Sequence, residues 1–274
     1  MPGSRGATVA RLAKGKASRS PPKSVSAPRR FTGRSRDGAP CPDAAAAVRR
    51  RFRTVYTSHM PARTPRPIPA HPDAIVESQE RAWSGRYAVD VVRFRHRRFD
   101  GAMSDVRAWE LWRRGRAVAM VPYDPVTDCV VLIEQFRFPA LAAGIDPVLV
   151  ELPAGLIEDG EDPELAMHRE LHEEMRLEAD RLEKIGTYLL TAGASDELLD
   201  LYIGRVVAPT AGPDGIAGHA GAEAEGEDIR VRVWPADKAI ALALSGAVPN
   251  SVTTIGLLWL AAKRDILRKQ WSEP

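Results

Sequence analysis

The stretch from Gly155 to Leu177, GLIEDGEDPELAMHRELHEEMRL, constrains this 274-residue chain more than any other part of its sequence. Glu170, Glu173 and Glu174 stand at i, i+3 and i+4, so on a helix their carboxylates repel one another by roughly a few tenths of a kcal/mol per pair. A solvated face is the commonest environment of helical glutamates. Three on one arc beside a glycine-containing loop favour a divalent cation instead, and carboxylate oxygens suit Mg²⁺ or Mn²⁺.

The same stretch carries ordinary helix signals. Asp162 is a good N-cap and Pro163 suits the first helical position. The spacing of His168, Leu171 and Met175 predicts a moderately apolar stripe that packs on a sheet. A helix is therefore expected directly after the loop.

The loop before this helix is expected to contribute to the cation site. Gly155 allows backbone conformations that turn the carbonyl of Ala154 toward the ion. Arg169 can donate charged hydrogen bonds to Glu161 or Glu158 and so steady the loop. The alternative for Arg169 is an ordinary surface arginine.

The first 72 residues differ from the rest in charge and texture. They hold sixteen Lys and Arg against two acidic residues, a net +14 that leaves −11 for residues 73–274. Arg, Ser and Pro dominate without hydrophobic periodicity, which predicts a disordered basic tail. A nucleic-acid-binding arm is the less favoured alternative, because no aromatic residues interleave the arginines. An Arg- and Ser-rich transit peptide, or a translation start near Met60, stays open as well.

From Trp83 onward, short apolar strands alternate with amphipathic helices. Strands are predicted at 86–99, 117–124, 129–138, 198–207 and 229–234, and helices at 235–246 and 250–271, the latter capped by Asn250 or Ser251. The order lacks a regular βαβ rhythm, which favours an α/β fold with a mixed sheet covered by helices. No apolar run reaches the roughly 18 residues of a membrane span. Two distant cysteines, Cys41 and Cys129, indicate a reducing compartment such as the cytoplasm.

The spacing Gly155-x5-Glu161-x7-Arg169-Glu170-Leu171-x-Glu173-Glu174 resembles the Nudix box, GX5EX7REUXEEXGU. Six specified polar or glycine positions and one aliphatic position match. Arg176 departs, because the family has a glycine there that closes the helix, so the helix either continues or closes differently. The resemblance implies a Nudix fold, a mixed sheet sandwiched by helices. It divides the chain into a tail (1–72), a small N-terminal β subdomain (83–116) and a Nudix domain (117–271).

The segments on either side of the box indicate the subfamily more specifically than the box itself does. Residues 84–104, 121–141 and 224–234 resemble ADP-ribose pyrophosphatases, so the similarity covers residues 83–271. This implies Mg²⁺-dependent hydrolysis of ADP-ribose to AMP and ribose 5-phosphate, with Mn²⁺ as a possible substitute. Hydrolysis of GDP-mannose or other nucleotide sugars is the alternative, since Ala192 replaces the proline of an SPG-like turn. A non-catalytic nucleotide-sugar-binding regulator is less favoured because no box carboxylate is missing.

The resemblance also assigns roles to residues. Metal ligands fall on the Ala154 carbonyl, Glu170, Glu173, Glu174 and Glu227. Besides Glu173 and Glu174, the catalytic set includes Glu225, which activates water, with Glu223 as its competitor in a long loop. Substrate contacts fall on Arg86, Tyr87, Trp109, Glu110, Arg114, Arg137, Leu156, Thr191 and Glu197, with Arg137 on a phosphate and the first five around the adenosine.

Some of these residues have simpler explanations, and some depend on a partner. Arg114 could be a surface charge at a hairpin turn, and Trp109 could be ordinary core. In the family the N-terminal strands reach across a homodimer, so two chains are expected to build each site. A zinc site from His168 and His172 is the weakest alternative, because it lacks the Glu of an HEXXH motif.

Overall fold

A computed structural model of the protein describes residues 67–221 and 226–272. Most of the predicted basic tail, together with Glu223 and Glu225, lies outside the described residues. In the described ranges, no helix is both long enough and apolar enough to cross a membrane.

Eleven strands and four helices make up the described part of the chain. In chain order they are β1 (Ala74–Ser84), β2 (Ala88–His96), β3 (Arg107–Arg113), β4 (Arg116–Asp124), β5 (Cys129–Phe136), α1 (Phe138–Ala142), β6 (Val148–Glu151), β7 (Ala154–Leu156), α2 (Pro163–Met175), β8 (Arg181–Leu189), β9 (Leu198–Arg205), β10 (Ile216–Ala220), β11 (Ile229–Pro235), α3 (Ala236–Leu244) and α4 (Ser251–Trp271). The predicted strands and helices of the chain from residue 86 onward are confirmed.

The strands form two sheets. β1, β2 and β3 pair in order as an antiparallel sheet, and the larger sheet runs β10-β11-β5-β4-β9-β8, with β6 added to β5 and β7 to β4. β4 and β9 are parallel, whereas the other pairs of the larger sheet are antiparallel. The predicted mixed sheet is confirmed. β1 begins at Ala74, before the predicted boundary at Trp83.

Strand β4 lies at the centre of the larger sheet because it is apolar on both faces. Its residues 117–124 are all buried, as a continuous apolar run predicts for a strand covered on both sides. Val121 packs in a cluster with Leu257 and Leu260 of α4. Its neighbour Met120 points the other way, into a cluster with Leu171 of α2. Helices therefore cover both faces, as the resemblance implied.

Helix α2 starts as predicted. The Asp162 carboxylate accepts hydrogen bonds from the backbone N–H of Glu164 at 2.9 Å and of Leu165 at 3.3 Å, and Pro163 occupies the first turn. The predicted buried stripe is partly wrong. His168 is exposed, and Met167 takes the buried position four residues before Leu171.

The helix ends at Met175 because Arg176 adopts a left-handed conformation, with φ 57° and ψ 32°. Its N–H still donates to the His172 carbonyl at 2.9 Å. The sequence left open whether the helix continues past Arg176 or closes there differently from the family. It closes there. An arginine closes it in the conformation that a glycine adopts more easily.

Candidate active site

A cavity of about 280 Å³ lies where the first turn of α4, helix α2 and the edges of β4 to β7 meet. The predicted site residues that line it are Arg86, Tyr87, Arg114, Arg137, Ala154, Leu156, Glu170, Glu173, Glu174, Glu197 and Glu227. Residues up to 141 positions apart in sequence therefore share one cavity. This juxtaposition is the main structural support for the predicted site.

Three predicted substrate contacts lie away from this cavity in the single chain. Trp109 is 44% exposed, so it is not core, and its indole Nε1 donates to the Gly193 carbonyl at 2.9 Å. Glu110 is exposed on β3, and Thr191 is exposed in the turn that contains Gly193. Glu225 and its competitor Glu223 lie outside the described residues.

Arg169 organises the loop before α2. Its Nε and Nη2 donate to the two oxygens of Glu161 at 2.9 and 3.1 Å, and Nη2 also donates to the Leu156 carbonyl at 3.2 Å. Glu161 in turn accepts from the Glu158 backbone N–H at 2.8 Å. Arg169 thus holds Glu161 rather than Glu158, and it is not an ordinary surface arginine. Hydrogen bonding to Glu161 raises the pKa of Arg169, which keeps it cationic.

Glu174 is the buried member of the acidic cluster, with 2% of the residue exposed. One carboxylate oxygen accepts from the Ala154 backbone N–H at 2.9 Å. Burial raises the pKa of Glu174 well above its usual value of 4.5, and the neighbouring Glu170 and Glu227 raise it further. A buried carboxyl surrounded by like charges has the electrostatic character of a cation-binding or catalytic group.

Gly155 is required for space rather than for an unusual conformation. It lies in β7, paired with Val118 of β4, and its φ is not positive. A Cβ built at Gly155 would lie 1.8 Å from Cδ of Glu170. The expected conformational role of this glycine is therefore wrong. Its missing side chain instead makes the cradle in which the Glu170 carboxylate lies.

The donor set fits a hard divalent cation in its chemistry. Glu170, Glu173, Glu174 and Glu227 all line the cavity with carboxylate oxygens. In the described part of the chain, no three acidic, histidine or cysteine side chains already converge as a complete metal site. Glu170 and Glu173 are bonded to Arg169 instead, whose Nη1 donates to Glu170 at 2.8 Å and to Glu173 at 3.2 Å. These carboxylates would reorient to bind an ion.

Cationic and aromatic side chains also line the cavity, among them Arg86, Tyr87 and Arg114. The guanidinium of Arg114 lies over the ring of Tyr87 at 4.3 Å and over that of Trp112 at 4.7 Å, and it donates to Glu197 at 2.8 and 3.0 Å. Arg114 lies in the link between the two sheets rather than in a hairpin, and it is not an isolated surface charge. Flat stacking surfaces beside a carboxylate suit a base and its ribose.

Comparison with known proteins agrees with this arrangement. The family model of the NUDIX domain matches residues 113–250, about half of the chain. The chain belongs to the Nudix family. It is 37% identical over 200 residues to the ADP-ribose pyrophosphatase of Escherichia coli (strain K12), covering 73% of this chain and 93% of the relative. The ADP-ribose pyrophosphatase of Haemophilus influenzae is 32% identical over 202 residues, covering 73% and 91%. The GDP-mannose pyrophosphatase of Salmonella arizonae is 29% identical over 152 residues, covering 55% and 76%.

Glu151 and Asn250 line the cavity of this Nudix protein but were not among the site residues predicted from the sequence. Glu151, 5% exposed, ends β6, and Asn250 precedes α4. Asn250 was predicted as a helix cap, and its side chain does accept from the Thr253 N–H at 2.9 Å. The available signal for Glu151 was a single acid at the end of the apolar run VLVE, four residues before the first glycine of the Nudix box.

Proposed function

We propose that this Nudix protein hydrolyses the diphosphate bond of ADP-ribose, giving AMP and ribose 5-phosphate, with Mg²⁺ as the metal and Mn²⁺ as a substitute. One observation carries the proposal. A single cavity is lined by Glu170, Glu173, Glu174 and Glu227, by the group of Arg114, Tyr87 and Glu197, and by Arg137. The similarity to ADP-ribose pyrophosphatases over 73% of the chain supports the choice of substrate.

The carboxylates would bind the cations that a negatively charged substrate needs in this cavity. A diphosphate anion and four glutamates repel each other, and residues 73–274 carry a net charge of −11. Glu170, Glu173, Glu174 and Glu227, with the Ala154 carbonyl, would hold the divalent ions. When bound there, the ions would neutralise the charge of the diphosphate and polarise the phosphorus under attack.

The remaining residues bind and orient the substrate. Arg137 contributes a cation for one phosphate, and Leu156 contacts the substrate. Arg86, Tyr87, Arg114 and Glu197 hold the adenosine. Glu225 takes the proton of the attacking water, with Glu223 as the alternative base. As the water oxygen bonds to phosphorus, the bridging oxygen leaves on the second phosphate.

A homodimer would complete the site. Trp109, Glu110 and Thr191 lie away from the cavity of their own chain, as described above. The N-terminal strands would bring the two β3 residues, Trp109 and Glu110, to the substrate of the partner subunit.

A second candidate substrate is GDP-mannose. The relative at 29% identity acts on it by name, and Ala192 departs from the SPG-like turn. That turn also holds Gly193, the acceptor for Trp109. A change in the turn would therefore alter the aromatic contacts of the base.

The deciding experiment measures product release by a chain that starts near Met60. With ADP-ribose and Mg²⁺ we expect AMP and ribose 5-phosphate, no turnover in EDTA, and a lower kcat/KM for GDP-mannose. Glu170→Gln should reduce turnover by more than the roughly 10- to 100-fold that loss of an outer-shell partner costs. Equal rates with and without Mg²⁺, or preference for GDP-mannose, would contradict the proposal.

A further inference from the structure

Glu151 links the first turn of α4 to the arginine assigned to the substrate phosphate. One oxygen of the Glu151 carboxylate accepts from Nε of Arg137 at 2.7 Å. The other accepts from Nδ2 of Asn250 at 2.5 Å. A third donor, Nε2 of Gln135, reaches the oxygen bonded to Arg137 at 3.4 Å. The buried carboxylate is thus held by donors from separate parts of the chain.

The Asn250 end of this link is fixed in place. Its Oδ1 accepts from the Thr253 backbone N–H at 2.9 Å and from the Thr253 hydroxyl at 3.0 Å. The same hydroxyl accepts from the Leu152 N–H at 3.1 Å, and Thr253 is 1% exposed. With Oδ1 committed to the helix cap, the amide of Asn250 can present only its NH₂ group to Glu151.

The Arg137 end is held on one side only. The backbone N–H of Arg137 donates to the Pro147 carbonyl at 2.7 Å, which fixes where the side chain starts. Among the described residues, Glu151 is the only group bonded to the guanidinium, through Nε. The two Nη groups keep their donor capacity, and the side chain is 42% exposed at the cavity.

We infer that Asn250 and Glu151 are positioning residues that fix the Arg137 guanidinium so that its Nη groups face the substrate diphosphate. This inference rests on the proposed function, because it assigns the diphosphate to Arg137. An unrestrained arginine would have to be ordered when substrate binds, and ordering one flexible side chain weakens binding by roughly two- to tenfold.

The test separates this role from the helix cap. Asn250→Ser keeps a good N-cap but removes the amide donor to Glu151, because serine caps a helix about as well as asparagine. Asn250→Asp also keeps the cap, yet places a carboxylate against that of Glu151. Ser251→Ala, at the exposed neighbouring position, is the matched control. Melting temperatures close to that of the wild type would show that all three variants fold.

The readouts are the Kd for inorganic pyrophosphate with Mg²⁺, by calorimetry, and KM and kcat for ADP-ribose. We expect Asn250→Ser to raise Kd and KM about two- to tenfold, Asn250→Asp to raise them more, and Ser251→Ala to leave them unchanged. kcat should change less than KM, because a contact made equally in ground and transition states affects binding alone. In an Arg137→Ala background, Asn250→Ser should have no further effect on Kd.

Either of two outcomes would overturn the inference: a folded Asn250→Ser variant with wild-type Kd, or a loss of affinity that persists without Arg137. Failure of the wild type to bind pyrophosphate would overturn it as well. Pyrophosphate contains the diphosphate group without a nucleoside or a sugar. The comparison of single and double variants therefore tests diphosphate binding whichever nucleotide sugar is the substrate. A wild type that binds pyrophosphate but does not hydrolyse ADP-ribose would refute ADP-ribose as the substrate, while the positioning of Arg137 toward a bound diphosphate would still be tested by the variants.

Discussion

The carboxylate of Glu170 occupies the space that a side chain at Gly155 would need. An added Cβ would lie 1.8 Å from Cδ and Oε1 of Glu170, far inside van der Waals contact. We therefore predict that Gly155→Ala displaces Glu170, raises the Mg²⁺ concentration needed for half-maximal activity and lowers kcat at least about tenfold. A magnesium titration of steady-state rates measures both effects.

The control for this prediction is the same substitution in a Glu170→Ala background. There the added methyl group meets no carboxylate, so Gly155→Ala should cause no further loss of activity. A comparable loss in both backgrounds would show that Gly155 acts through something other than Glu170.

The second prediction concerns Glu174 in the absence of divalent ions. Its pKa is raised by burial and by neighbouring carboxylates, so above the usual value of 4.5 the folded protein keeps a proton that the unfolded chain releases. The contribution of Glu174 to the free energy of unfolding must then fall as pH rises past 4.5. Glu174→Gln removes this dependence and keeps an oxygen acceptor for the Ala154 N–H, so the variant should be more stable than the wild type at pH 8.

Urea unfolding in EDTA at pH 4 and pH 8 measures this difference. The advantage of Glu174→Gln should be larger at pH 8 than at pH 4, while its turnover with Mg²⁺ falls by orders of magnitude. If the free energy of unfolding had the same pH dependence in the wild type and in Glu174→Gln, the charged form of Glu174 would not destabilise the folded protein.

The third prediction concerns the left-handed residue that ends α2. Arg176 adopts φ 57°, a conformation that costs a non-glycine residue roughly 1–2 kcal/mol. Arg176→Gly should therefore raise the free energy of unfolding by about 1 kcal/mol. Arg176→Ala keeps the strain and removes only the side chain, so it should not reproduce the gain. Equal stability of the glycine and alanine variants in urea titrations would contradict this explanation.

The fourth prediction concerns Gly256 in α4, where helix propensity and packing oppose each other. Alanine is about 1 kcal/mol more favourable than glycine inside a helix. At this position, however, a Cβ would lie 2.7 Å from Cγ2 of Val121 and 2.9 Å from Cδ1 of Leu152. Overpacking of this kind costs roughly 1–3 kcal/mol, so Gly256→Ala should destabilise the protein.

Ala261, exposed on the same helix, supplies the control for Gly256. Ala261→Gly should cost about 1 kcal/mol from propensity alone. If Gly256→Ala instead stabilised the protein in thermal unfolding, the close packing of α4 against β4 would be refuted.

The sequence was sufficient where the signal is local. Helix α2 is specified by its own cap and spacing, and β4 by its uninterrupted apolar run. Glu170, Glu173 and Glu174 share a face because of helical periodicity alone. Their placement in one cavity with Arg114 and Glu197 was accessible only through the family resemblance, since no local pattern relates residues so far apart.

The features that the sequence did not reveal depend on tertiary contacts. β1 is mostly exposed, and among the described strands it pairs with β2 alone. Its sequence lacks the apolar alternation that marks a strand with one buried face. The bond between Glu151 and Asn250 joins residues 99 positions apart. The steric role of Gly155 required knowing where Glu170 lies. Each of these is a contact between elements, which periodicity within one element cannot encode.

Anomalous scattering from crystals soaked in manganese tests the central claim most directly, namely that mutually repelling glutamates capture divalent ions at the substrate diphosphate. We predict an anomalous peak about 2 Å from carboxylate oxygens of Glu170 and Glu174 and from the Ala154 carbonyl. Maps without such a peak, in which Glu170 and Glu173 remain bonded to Arg169, would contradict the account.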